Sequence, residues 1–103
     1  MFKKDSRYMT RGIQADIPLQ VQLFLWNLID ESKNKGTELD YLQVFVIKST
    51  KGINNKYLLN IEHRQEVPEY KNTTNIISDI AIDEKIFVID DGTHSTMMLA
   101  QEY

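Results

Sequence analysis

The sequence contains no cysteine, which removes disulfides, thiolate-bound zinc, iron–sulfur centres and thiol nucleophiles from consideration. Proline and glycine are scarce, at two and four among 103 residues, so Pro-rich and Gly-rich low-complexity segments are excluded. Long apolar runs are missing too. The most hydrophobic stretch, Leu19 to Ile29, is interrupted by Gln20, Gln22 and Asn27 and is about half of the ~20 residues that span a bilayer. The N-terminus, Met1-Phe2-Lys3-Lys4-Asp5-Ser6-Arg7, is charged and has no apolar run behind it, unlike a secretory signal. The expectation is therefore a soluble, cytoplasmic protein with no membrane partner. In such a protein the glycosylation-like triplet Asn72-Thr73-Thr74 carries no meaning. Neither charge sign dominates: 12 Lys+Arg against 15 Asp+Glu give a net charge of −3, where a dedicated nucleic-acid binder is normally basic.

What is present suffices for a packed core. Hydrophobic residues make up 42% of the chain, including one Trp, five Tyr and four Phe, which is too apolar for a disordered protein. The length fits a single domain over 1–103, with polar residues 1–6 expected to fray. Tyr8 to Ile13 favours an extended segment that Gly12 interrupts. A helix is predicted over about 17–35: Asp16 is a good N-cap, Pro18 suits the first turn, Lys33 and Lys35 complement the C-terminal dipole, and Gly36 stands at the left-handed stop position.

Strand patterns follow. In Tyr41 to Ser49, Leu42, Val44 and Val46 point one way and Tyr41, Phe45 and Ile47 the other, as in a central strand covered on both faces. Residues 51–55 read as a hairpin loop before a half-exposed return strand over 56–65. Pro68 ends that strand and opens a loop over 67–72. Residues 75–82 are ambiguous between a short strand and a helical turn, and 85–90 form a clear strand. Asp91-Gly92 is the preferred pair for a type I′ turn, so 93–101 is read as a returning strand although Met97 to Glu102 are good helix formers. The expected fold is α+β, one long helix on a four- to five-stranded antiparallel sheet built from hairpins.

The helix holds the best functional lead. Val21, Leu25, Leu28 and Ile29 make a core stripe about 100° wide, the width a surface helix needs. Leu19, Leu23 and Trp26 fall outside it, on the flank beyond Ile29. Covering loops would make them core; left uncovered, they form a contact for an unknown protein partner or for self-association.

Candidate chemistry is sparse. Asp90, Asp91 and His94 surround one turn, together with Thr93 and Ser95. That set reads either as a metal-dependent or hydrolytic site, with His94 as a base oriented by Asp90, or as turn structure in which carboxylates and hydroxyls satisfy local backbone groups. The structural reading is preferred because no spacing marks further metal ligands. His63, beside Ile61 on a strand face, reads as a packed residue. Lys3, Lys4, Arg7 and Arg11 make a small basic N-terminus that allows, as a further alternative, weak phosphate or nucleic-acid contact. No P-loop, nucleophile elbow, paired histidines at helical spacing or Gly-rich dinucleotide fingerprint is present, so no catalytic residue, metal or cofactor is assigned.

Several blocks are more specific than composition. Arg7-Tyr8-Met9-Thr10-Arg11-Gly12-Ile13, Ile17-Pro18-Leu19-Gln20, Gln22-Leu23-Phe24-Leu25-Trp26, His63-Arg64-Gln65-Glu66-Val67-Pro68-Glu69-Tyr70, Lys85-Ile86-Phe87-Val88-Ile89-Asp90-Asp91-Gly92 and His94-Ser95-Thr96-Met97 resemble a small family from low-GC Gram-positive bacteria and their phages, catalogued as domain of unknown function 960. The resemblance covers nearly the whole chain and is poorest over 72–82. It implies a stand-alone bacterial protein without an assigned activity, and it transfers no catalytic residues.

Overall fold

The computed structural model describes all residues, 1–103. Two α-helices lie on one face of a single six-stranded mixed sheet. In chain order the elements are β1 (Arg7–Met9), α1 (Arg11–Asp16), α2 (Leu19–Asn34), β2 (Leu42–Lys51), β3 (Tyr57–Gln65), β4 (Tyr70–Ser78), β5 (Glu84–Asp90) and β6 (Ser95–Leu99), with short 3₁₀ turns at Lys4–Ser6 and Ala100–Glu102. The strand order is β1-β6-β5-β2-β3-β4. Every pairing is antiparallel except β1 with β6, which is parallel. The α+β class and the long helix are as expected; the sheet is larger than four or five strands and is not purely antiparallel.

The helical region differs from expectation in a way that Pro18 explains. A residue before proline is pushed out of the α region, and Ile17 is extended at φ −115°, ψ 116°. The helix expected over 17–35 is α2, begun at Leu19, and a separate short helix, α1, precedes it over Arg11–Asp16. Asp16 ends α1 rather than capping α2, and Pro18 itself is the N-cap of α2. Thr10 starts α1 by accepting from the Ile13 N–H at 3.4 Å, so Tyr8 to Ile13 is part strand, part helix. The predicted stop is in place. Gly36 has φ +84°, and Gly36 N–H to Lys33 C=O (3.1 Å) with Thr37 N–H to Ser32 C=O (3.1 Å) make a Schellman motif.

The hairpin turns exchange roles. Asn54 and Asn55 have φ of 57° and 62°, and Lys56 N–H reaches Ile53 C=O at 3.1 Å; this is the type I′ turn. At Asp91-Gly92 only Gly92 has a positive φ, +100°, so the expected I′ turn does not form there. The 93–101 segment does return as a strand, β6. Half of the ambiguous 75–82 region and half of the expected 67–72 loop belong to one strand, β4, in unbroken register with β3 from Tyr70 to Ser78.

Ile13, Ile17, Val21, Leu25, Leu28 and Ile29 pack against Phe45, Ile47, Leu59, Ile61, Ile86, Val88, Met97 and Leu99 in one cluster. Phe2 belongs to it, only 1% exposed, so residues 1–6 do not simply fray. Burying this face fixes the register of every strand, because a one-residue slip would turn the whole apolar set outward. β2 is central, as expected, but helices cover only its Phe45 and Ile47 face. Val44, on the other face, is sheltered instead by its cross-strand neighbours Phe87 and Arg64.

Candidate interaction surface

On α2, Leu19 and Leu23 stand one turn apart and are 63% and 58% exposed. Trp26, the third member of the flank, is half-buried against the core. The structure thus keeps the two leucines in the open and partly covers the indole. The cover is Arg7 of β1, whose guanidinium lies 4.6 Å from the Trp26 ring centroid in a cation–π contact.

Arg7 joins three elements. Its Nη1 donates to Asp30 Oδ2 at 3.1 Å and its Nη2 to Asp30 Oδ1, a bidentate fork onto α2; Nη2 also donates to Phe2 C=O at 2.7 Å. Both side chains of this ion pair are more than four-fifths buried, so the pair is held out of the solvent screening that weakens surface pairs. The arrangement fixes the indole orientation next to the two free leucines. Arg7→Met is expected to cost about 3 kcal/mol by leaving the Asp30 carboxylate unpaired. The same change should alter the Trp26 emission maximum, which fluorescence-monitored urea unfolding records together with the stability. Sequence reading places Arg7 in a basic N-terminal patch; in the structure its charge is already taken by Asp30.

The Asp90–His94 turn is wired as structure. Asp91 Oδ1 accepts from Thr93 N–H (2.9 Å), Thr93 Oγ1–H (2.8 Å) and His94 N–H (3.0 Å), and His94 Nε2 lies 3.3 Å from Asp91 Oδ2. These donors hold the Asp91 carboxyl down at about 2, the His94 and Thr93 backbone N–H groups being the leading causes. Asp90 Oδ1 accepts from Gly92 N–H at 2.8 Å and Oδ2 from Phe2 N–H at 2.7 Å. Each carboxylate is engaged by the turn or the N-terminal segment, and no group of three or more His, Asp or Glu side chains is disposed to hold a metal ion. The turn seats Phe2 and closes a hairpin.

His63 is the packed residue that its place beside Ile61 suggests, 2% exposed and hydrogen-bonded. Gln43 Nε2 donates to Asp40 C=O (2.9 Å) and to Gln65 Oε1 (2.7 Å), which fixes Gln43 Oε1 as an acceptor; His63 Nε2–H donates to it at 2.7 Å. Gln65 Nε2 donates in turn to Glu38 and Pro68 carbonyls at 2.8 and 2.9 Å. The imidazole stacks on Phe45 with centroids 4.5 Å apart. Burial in this surround lowers the His63 pKa to about 4, so the ring is neutral at pH 7. The glutamines carry no sequence pattern that announces this network; only the fold brings them together.

A family model described as staphylococcal protein of unknown function (DUF960) matches residues 6–102. The chain belongs to this family. Among solved structures, this DUF960 protein is similar to the crystal structure of a protein of unknown function from Enterococcus faecalis, with 25% identity and a TM-score of 0.75 over 100% of this chain and 98% of that one. Among curated proteins, none matches the sequence. Within the DUF960 fold seen here, no helix is long and apolar enough to cross a membrane.

Proposed function

We propose that this protein is a non-enzymatic, cytoplasmic binding module that engages another protein through the outer flank of α2. The observation that carries the reading is the pair Leu19 and Leu23, 63% and 58% exposed beside an indole braced by Arg7. Two leucines one turn apart with an amphipathic aromatic behind them make the kind of apolar centre that protein contacts desolvate. The Asp30–Arg7 pair, mostly buried, lies behind the patch and fixes the indole.

In-cell photocrosslinking tests this directly. A benzophenone amino acid at position 23 or 19 should give one discrete adduct band, and the same group at Asn60, on the opposite face of the sheet, should give none. Equal, diffuse labelling at all three positions would defeat the proposal. Leu23→Glu should remove the adduct formed through position 19 while shifting unfolding stability by no more than about 0.5 kcal/mol, as expected for an exposed site.

A further inference from the structure

β4 leaves one edge of the sheet open. Along an antiparallel ladder, successive residues direct their backbone groups alternately to one neighbour and the other. Gly52 N–H bonds Lys56 C=O at 2.9 Å, so even-numbered residues of β3 bond β2 and odd-numbered ones bond β4. With the observed register, the N–H and C=O groups of Lys71, Thr73, Asn75 and Ile77 point away from the sheet. Of these, the Thr73 N–H is met by the adjacent Asn72 Oδ1 at 3.0 Å.

Sheet edges are commonly blunted by proline, a bulge or several charges. β4 has no proline, its pairing is unbroken from Tyr70 to Ser78, and Lys71 is its one charge. Its far end is apolar on both faces. Ile77, 74% exposed, borders a groove with Leu58 and Ile53, while Ile76 and Ile80 line another with Phe24 of α2. An added strand would lay alternate side chains into both grooves.

We infer that the occupant of this edge is the β4 edge of a second copy of the chain, paired antiparallel across a two-fold axis so that the two six-stranded sheets run on as one. Charge complementarity favours this occupant. Lys71 lies near one end of the strand, 3.6 Å from Glu62, and Asp79 just past the other, paired with Lys56; both stay well exposed, and exposed pairs of this kind are weak enough to exchange partners. Pairing centred on Asn75 sets Lys71 against Asp79 of the second copy, twice, and Thr73 against its Ile77. The outward backbone groups of the strand then bond one another, the Thr73 N–H exchanging Asn72 Oδ1 for the facing carbonyl, and the contact is isologous, as in most soluble dimers. The edge lies on the Phe24 side of α2, away from Leu19 and Leu23, so this inference stands apart from the proposed partner contact.

Light scattering coupled to size exclusion, over a concentration series of the full chain, tests it. The expected result is a dimer mass. Ile77→Lys and Thr73→Pro, which remove the apolar end and an outward N–H without touching the β3 ladder, should each weaken dimerisation by at least roughly tenfold. Should Thr73→Pro fail to fold, Ile77→Lys still decides. Lys71→Asp and Asp79→Lys should each favour monomer, and the double reversal should restore the dimer. That rescue requires two chains, because the two positions are about 26 Å apart along one strand. A wild-type monomer at every concentration overturns the inference, as does a dimer that survives Ile77→Lys. A dimer lost in Leu23→Glu but kept in Ile77→Lys overturns it as well and would place self-association on α2.

Discussion

Replacing Phe2 with alanine is expected to lower unfolding stability by about 3 kcal/mol, the usual cost of deleting a buried phenylalanine ring, and to bring the thermal midpoint down by roughly 10–15 °C for a chain of this size. A residue so near the end of a chain ordinarily tolerates any change. Phe2 does not have that freedom. Its ring is buried in the core cluster, its N–H donates to Asp90 and its C=O accepts from Arg7. Its φ of 56° is a left-handed conformation that a bulky side chain adopts only when its surroundings over-determine it. Phe2→Leu, which keeps most of the apolar volume, should cost about a third as much. Differential scanning calorimetry separates the cases, and a shift below about 0.5 kcal/mol in Phe2→Ala would show that the N-terminal segment is not seated as described.

The second large effect is on the acid side. In the unfolded chain His63 titrates at its ordinary 6.5, but in the folded protein burial holds it near 4. Between these values the unfolded state binds the extra proton, so stability rises with pH across the window and is lost as pH falls through it. The loss should reach about 2 kcal/mol at pH 5 and level off at about 3 kcal/mol below pH 4. His63→Gln removes the titrating group, so its urea midpoint should fall less than the wild-type midpoint between pH 7 and pH 5. Parallel curves over that interval would rule out the neutral, Gln43-bound imidazole. The carboxyls of Asp91 and Glu102, both lowered by donors from Thr and backbone groups, act in the same sense, stability falling with pH, but in a lower window. Their stabilisation is present above their ordinary values and is lost at lower pH still, which leaves the pH 5–7 interval to His63.

Some of this was legible in the residues and some was not. The stop at Gly36, the strands after it and the return of β6 follow from local signals: a left-handed cap, alternation, and a turn pair that outweighs the helix propensity of Met97 to Glu102. The break at Ile17 was legible too, because a residue before proline resists the α region, but the apolar periodicity of the segment masked it. β4 was obscured by its position. An edge strand with both faces largely in water has no hydrophobic alternation, and Lys71-Asn72-Thr73-Thr74-Asn75 looks like loop. Phe2, Arg7 and the Gln43–His63–Gln65 network were beyond local reading, since their partners lie tens of residues away and only packing joins them. For the candidate surface, the count of apolar residues around α2 singles out Leu19 and Leu23, which are exposed, and Trp26, which is shared between core and flank because Arg7 lies over it.

The parallel pairing of β1 with β6 has a consequence for the order in which the chain folds. Arg7 is in register with Ser95, the Phe2 N–H finds Asp90 at a separation of 88 residues, and the Glu102 carboxylate closes on Thr10 Oγ1 at 2.6 Å. Residues 2–10 are therefore seated only when β6 and the turn after it are in place. A chain cut before β6 would keep α2 and the central hairpin but lose the partners of Phe2 and Thr10, so closing these long-range contacts belongs late in folding.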